Sequence, residues 1–186
     1  MSDSPRSRLA ELLRTHSLRT GTFTLASGEI SDIYLDVKAT SLLGEGADLI
    51  GTLFWEALLE LPHLPAAVGG LTLGSDPLVT ATSIAAFHRG NPLAAIIVRK
   101  ATKDHGTRKA LEYPPTLKPG DLVVAVDDVV TSGASTLQAI EAIRNAGFLI
   151  DHALCVVDRQ ASGRKALADA GVQLHSLFTL QELRQD

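Results

Sequence analysis

The chain has 186 residues, 45% of them hydrophobic and 20% charged, with a formal net charge of −4. That is enough apolar material for one sizeable core, with no apolar run long enough to cross a bilayer and no overall positive charge to draw the protein to nucleic acid. Aromatics are only 4%, so Leu, Val, Ile and Ala must build the core; the one cysteine, Cys155, excludes an internal disulfide and, inside Ala-Leu-Cys-Val-Val, reads as a buried, inert thiol suited to a reducing cytoplasm.

The first residues, MSDSPRSR, lead into a charged helical pattern over Arg8–Thr15 rather than a signal-peptide core. Residues 30–37 alternate Ile33, Leu35 and Val37, as a strand does, and 44–59 read as a helix. A short apolar strand at 66–68 meets Gly69-Gly70, and a helix over 76–88 carries Pro77 in its first turn. Leu93–Val98 is a buried-strand pattern, and the polar segment 100–112 that follows has no apolar period. Strand 122–126 ends at Asp127-Asp128, helix 135–146 closes at Gly147, strand 149–157 precedes helix 163–170, and strand 172–177 leads to a short last helix. Strands and helices alternate from about residue 66, which predicts a mostly parallel sheet with helices on its faces. The first forty residues do not follow the alternation and are expected to form a small cap beside it, within a single domain.

The most informative stretch is VVAVDDVVTSGAST, residues 123–136. An apolar strand ends in two carboxylates, a loop of small residues follows, and a helix begins. Ligands of open α/β sheets sit beyond the carboxyl ends of strands, and a helix start offers free N–H groups and a positive dipole end. Thr131, Ser132, Ser135 and Thr136 add hydroxyls, and Gly133 and Ala134 let the backbone approach a phosphate. Carboxylates accept hydrogen bonds from sugar hydroxyls and can meet a divalent metal, directly or through water. The stretch reads as a cradle for a sugar phosphate, with hydroxyls over Asp127 and Asp128 and phosphate over Thr131–Ser135. Serine capping beside two solvated acids is the bland alternative; it leaves unexplained two adjacent acids directly after a buried strand. No Gly-Lys-Ser/Thr follows, so this is not a P-loop.

A second cluster, VRKATKDHG at 98–106, places Arg99, Lys100, Lys103 and His105 within seven residues. By itself it would pass for a solvated basic loop. Beside a sugar-phosphate cradle it becomes a set of cations able to close over a pyrophosphate and stabilise the charge that develops as it leaves.

The acidic-pair stretch resembles the PRPP-binding signature of type I phosphoribosyltransferases, and Arg-Lys-x-x-Lys-x-His-Gly resembles the catalytic loop of the orotate branch of that family. The resemblance, spanning about residues 9–163, implies a Rossmann-like sheet with an N-terminal hood (about 1–40 beside a core of 66–178), phosphoribosyl pyrophosphate (PRPP) as donor and orotate as acceptor. It implies Mg²⁺ as cofactor, with no direct protein ligand expected. Arg99, Lys100, Lys103 and His105 are implied to contact PRPP or pyrophosphate, with Asp127, Asp128, Val129, Val130, Thr131, Ser132, Gly133, Ala134 and Ser135 around the ribose phosphate. Lys103, Arg99, His105 and Asp128 form the implied catalytic set, Lys103 foremost for turnover, and a homodimer lends loop 99–109 across its interface.

Arg159, in VVDRQ at 156–160, can pair bidentately with a carboxylate or bond an imide edge. The bland alternative is a salt bridge to Asp158. By resemblance, Arg159 and Thr131 contact orotate, although Gln160-Ala161-Ser162-Gly163 departs from the acidic and glycine residues usual after this Arg. FTLASGEISDIYLDVK, residues 23–38, keeps Phe-Thr-Leu-x-Ser-Gly but has Ala26 where many members have Lys, leaving Lys38 as the candidate replacement cation. Tyr34 is balanced between packing on the hood and stacking near the base. The Gly-rich GGLTLGSDPLV, 69–79, is implied to bind pyrophosphate through its amides. Two rival expectations remain: a PRPP-sensing regulator, which could dispense with the loop cations, and a transferase for another nucleobase, against which Arg159 and the basic loop argue.

Overall fold

A computed structural model describes residues 4–24, 30–100 and 110–185. Helix α1, Pro5–Leu12, starts where the Ser4 hydroxyl accepts from Ser7 N (3.1 Å) and Pro5 takes the first turn, and it runs on into a π-turn at Leu13–Ser17. Strands β1, Leu18–Thr24, and β2, Ile30–Leu35, form an antiparallel hairpin whose register shifts between Thr20 and Phe23. Helices α2, Lys38–Ser41, and α3, Gly44–Leu59, lead to β3, Ala67–Leu71. Then come α4, Asp76–Phe87, β4, Ala94–Val98, and the two-residue β5, Leu111–Glu112. β6 is Val123–Val130, α5 Ala134–Asn145, β7 His152–Asp158, α6 Gly163–Asp169, β8 Gln173–Thr179 and α7 Leu180–Arg184.

The six-stranded sheet has the order β5-β4-β3-β6-β7-β8, parallel throughout except for β5 against β4. The chain steps outward from β3 to β4, then returns to the other side of β3 to lay down β6. That reversal opens a crevice beyond the carboxyl ends of β3 and β6, where such sheets bind ligands. One face of the sheet is covered by Leu9, Leu13, Ile50, Phe54, Leu58 and Leu78, the other by Ile140, Ile143, Leu167 and Val172. Each such side chain, fully buried, contributes roughly 1.5–3 kcal/mol, and the near-continuous apolar strands reflect burial on both faces. The mostly parallel sheet flanked by helices is the architecture the alternation predicts. Cys155 is fully buried, and burial pushes its thiol well above the ordinary range, as befits an inert cysteine.

Three differences from the sequence expectation have physical reasons. The acidic strand does not stop before Asp127: β6 runs to Val130 because its partner β7 is long enough to keep pairing, Asp127 with Cys155 and Val130 with Asp158. The segment 18–24 is a strand that period-2 reading passes over, because a bulge interrupts its alternation. Leu149, expected inside a strand, makes only an isolated bridge to Leu122.

The hairpin is anchored through its base. Asp36 N donates to Ser17 O (3.0 Å), and the buried hydroxyls of Ser17 and Thr40 are 2.6 Å apart. These bonds hold the start of α2 beside the crevice.

Candidate active site at the sheet reversal

Alternation along β6 sends the two carboxylates in different directions. Asp127 turns toward α5, where Thr136 donates its hydroxyl to Oδ2 (2.6 Å) and Asp128 N donates to Oδ1 (2.9 Å). Only 6% of Asp127 is exposed, and burial pushes its carboxyl up to about 7; the Thr136 hydroxyl opposes the rise and the adjacent Asp128 charge adds to it. Asp128 turns the other way, with Oδ1 accepting from Val129 N (2.8 Å) and Oδ2 lying 3.8 Å from Lys38 Nζ. Both line a cleft of 370 Å³ with Lys38, Leu71, Thr72, Leu73, Gly74, Lys100 and Ser135. The acids are therefore unequal: one nearly buried and inclined to hold a proton, the other open and accepting.

The turn after β6 is built to leave amides free. Gly133 has φ +79°, a left-handed conformation that costs glycine nothing, and α5 starts directly behind it. No side chain caps α5; Ser132 Oγ reaches only Ala134 N, at 3.4 Å. The capping alternative is thus not what this helix start does. Thr131, Ser132, Ala134 and Ser135 are exposed at the mouth, whereas Val130 is buried and Val129 half-buried. The turn is fastened to the next one by Gly163 N donating to Thr131 O (2.9 Å), and a Cβ on Gly163 would lie 2.8 Å from that oxygen and 2.5 Å from Val130 Cγ1.

Opposite, the turn after β3 contributes Thr72, Leu73 and Gly74, with a cis peptide between Thr72 and Leu73. It is pinned by Ser75 Oγ donating to Val126 O (2.8 Å) and Thr72 Oγ1 donating to Asp76 Oδ2 (2.7 Å). A Cβ on Gly74 would sit 2.9 Å from the Asp128 carboxyl, which is why glycine stands there.

Of the four expected loop cations, Lys100 lines the cleft. Arg99 does not: it pairs with Glu112 (2.9 Å) while its amide donates to Ala110 O (2.9 Å), tying the two stems of the loop together. Lys103 and His105 lie outside the described residues, as does Ala26. Arg159 stands apart, lining a shallow pocket with Leu180, Gln181, Arg184 and Gln185, although its amide donates to Val130 O (3.0 Å). Asp158 binds Arg164 (2.9 Å) instead of Arg159, and among the described residues Arg159 forms no salt bridge. Gln160 takes a left-handed φ of +57° in the turn that departs from the family pattern. Tyr34 packs against Phe23 (centroids 5.6 Å apart) with 42% of it exposed, so hood packing accounts for part of the residue. Sequence reading overlooked Thr136 as the partner of Asp127, Glu112 as the partner of Arg99 and Asp36 beside Lys38. Each is a contact between side chains whose pairing no local period announces.

The arrangement can accept hydrogen bonds from a polyol at Asp128, bind an anion at the α5 amides and offer Lys38 and Lys100 to a second anionic group. No protein-family model matches the chain. The chain is 43% identical over 180 residues to orotate phosphoribosyltransferase of Synechocystis, covering 97% of this chain and 89% of that one. Among solved structures, Mycobacterium tuberculosis orotate phosphoribosyltransferase with Fe(III) dicitrate superposes with a TM-score of 0.83 at 35% identity, covering 97% of this chain and 99% of that one. The same enzyme in complex with PRPP gives a TM-score of 0.80 at 31% identity, again over 97% and 99%. With this degree of identity along nearly its whole length, and a cleft at the reversal point of the same sheet, the chain belongs to the orotate phosphoribosyltransferase family.

Proposed function

We propose that the protein transfers ribose 5-phosphate from PRPP to N1 of orotate, giving orotidine 5′-monophosphate and pyrophosphate in pyrimidine synthesis. The observation that carries this reading is the pairing, in one cleft, of an open carboxylate at Asp128 with an uncapped helix start at Gly133–Ser135 and a second turn at Thr72–Gly74. The 5′-phosphate takes the amides and hydroxyls of Thr131–Ser135, the ribose hydroxyls donate to Asp128 and Asp127, and the diphosphate faces the Thr72–Gly74 turn and Lys100.

Orotate N1 can arrive deprotonated, so the protein supplies position and charge rather than a strong base. The C1′–O bond to the diphosphate breaks through an oxocarbenium-like state, as in glycosyl transfer generally, while N1 forms the new bond. Lys103, His105 and Lys100 stabilise the leaving diphosphate, and Arg99, paired with Glu112, joins the two described ends of their segment. Arg159 and Thr131 take the carboxylate and imide edge of orotate. The reading is supported by the Arg159–Val130 backbone bond, which keeps the end of β7 beside the phosphate turn, and by the engagement of Asp158 with Arg164.

The donor set suits Mg²⁺ carried by the substrate. Among the described residues no cluster of three acidic, His or Cys groups could hold a metal. Asp128 Oδ2, the less engaged of the cleft oxygens, would meet a metal-bound water rather than the ion; bound there, Mg²⁺ would supply charge neutralisation for the diphosphate. A homodimer is supported by the exposed apolar side chains of Ile84 and Phe87 (51% and 72%) in the last turn of α4, surface that a second copy could cover while lending its loop 99–109. Among the described residues no helix is long and apolar enough to cross a membrane; the free, buried Cys155 supports a cytoplasmic location, and no nucleic-acid partner is proposed.

The test is direct. Purified protein with PRPP, Mg²⁺ and orotate should lower the orotate absorbance, and Lys103→Ala should abolish most of that rate. Turnover of adenine or uracil in place of orotate would overturn the base assignment, and PRPP binding without turnover would favour a regulator.

A further inference from the structure

We infer that Lys38 is the fixed diphosphate-binding cation of this cleft and that Asp36 is the positioning residue that aims it. The inference rests on the reading of the cleft as a PRPP site. Lys38 starts α2, whose backbone is anchored by the Asp36–Ser17 bond and by the buried Ser17–Thr40 hydroxyl pair, so its Cα is held beside the crevice. Asp36 Oδ1 takes two donors from the same residue, Lys38 Nζ (2.6 Å) and Lys38 N (3.1 Å). This local clamp fixes both the backbone and the tip of the lysine. The ammonium has three donors; one goes to Asp36, and Asp128 Oδ2 at 3.8 Å is beyond hydrogen-bond reach. The remaining donors face a cleft whose opposite wall is the Thr72–Gly74 turn.

Charge leads to the same place. Asp127 and Asp128 bring up to two negative charges to a cleft meant for a polyanion, and among the described residues only Lys38 and Lys100 line it with positive charge. Lys100 borders the polar loop, whereas Lys38 sits on the hydrogen-bonded base of the hairpin. Contact with Asp36, aided by Asp128, also raises the Lys38 ammonium above its ordinary value, which keeps it charged through neutral pH. A cation placed in advance binds without the entropy of ordering a side chain. Lys38 therefore meets the diphosphate from a position already fixed, and it joins the hairpin to the site chemically as well as sterically.

The experiment measures inorganic pyrophosphate binding by calorimetry on the full chain, beside the KM for PRPP and for orotate. Lys38→Ala should weaken pyrophosphate and raise the PRPP KM about tenfold or more, with the orotate KM within about twofold. Lys38→Arg should recover most of the loss, Asp36→Asn should give a smaller loss of the same kind, and Lys165→Ala, an exposed lysine paired with Asp169 and not lining the cleft, should change nothing. If Lys38→Ala perturbs folding, Lys38→Gln keeps the stem packed and must show the same split. Unchanged pyrophosphate affinity in Lys38→Ala and Lys38→Gln, with a lowered Tm that Asp128→Asn restores, would overturn the proposal in favour of simple charge balance. An Asp36→Asn protein with parental affinity would overturn the positioning role. Failure of the unsubstituted protein to consume orotate is a separate result and would overturn the functional reading instead.

Discussion

Strands β6 and β7 lie side by side in the sheet, each carries acid toward its carboxyl end, and the acids have opposite fates. At the end of β7, Asp158 is 2% exposed and fully served: Arg164 donates Nε (3.1 Å) and Nη2 (2.9 Å) to one oxygen, and Gln160 N donates (2.7 Å) to the other. In the second half of β6, Asp127 has a hydroxyl and an amide but no arginine, and Asp128 has an amide and a lysine only at 3.8 Å. A buried acid with a dedicated cation is structural. Acids left short of positive charge beside an open cleft are poised for a ligand that brings donors and cations with it.

On that contrast, removing Arg164 harms the fold and not the chemistry. Arg164→Ala leaves a buried carboxylate unpaired and should cost about 3 kcal/mol, a fall in Tm of roughly 6–12 °C for a chain this size. Calorimetry checks it; turnover at a temperature where the variant is folded should stay within a few-fold of the parent. Asp128→Asn should do the reverse, lowering kcat/KM for PRPP roughly a hundredfold, about 2.7 kcal/mol, with Tm held or raised. A destabilised Asp128→Asn protein would erase the distinction between the two strand ends. Gly74→Ala tests the same carboxylate from across the cleft. Its methyl would have to displace a group 2.9 Å away, so the PRPP KM should rise about tenfold, with a stability loss near 1 kcal/mol.

The smallest effect is protonic. The Asp127 carboxyl is raised from 3.8 to about 7 in the fold, so the folded state holds a proton that the unfolded chain releases. The stability associated with that proton is complete below the unfolded value and is lost as pH rises through about 7. Asp127→Asn should flatten this part of the stability–pH curve. Sugar hydroxyls and metal-borne positive charge favour the carboxylate, so PRPP binding near neutral pH should expel a fraction of a proton. Titrations in buffers of different ionisation heat would register it, and Asp127→Asn should remove it.

Much of this was legible in the sequence. The apolar run, the acids, the small residues and the helix start in VVAVDDVVTSGAST are local, and local patterns record local structure. The same pattern misplaced the end of β6, because strand length is set by the partner: pairing with β7 continues to Val130. It also laid both acids under the sugar hydroxyls, with Asp128 alone in the implied catalytic set, and left Asp127 without its Thr136 partner, since adjacency in sequence conceals that a strand turns neighbours to opposite faces. The pairing of Arg99 with Glu112 has no local signature either, because it depends on how two separate segments come together. The C-terminal helix α7 beside Arg159 is likewise a tertiary fact, brought there by β8.

The bond from Gly163 to Thr131, with no room for a methyl between the two turns, has a consequence for specificity. The segment bearing Arg159 and the segment receiving the 5′-phosphate share a boundary one atom thick, so neither can be redrawn alone. A chain selected to accept a different base by changes at residues 160–163 would inherit an altered grip on the donor, and its catalytic losses would show first as poor PRPP saturation rather than as poor discrimination between bases.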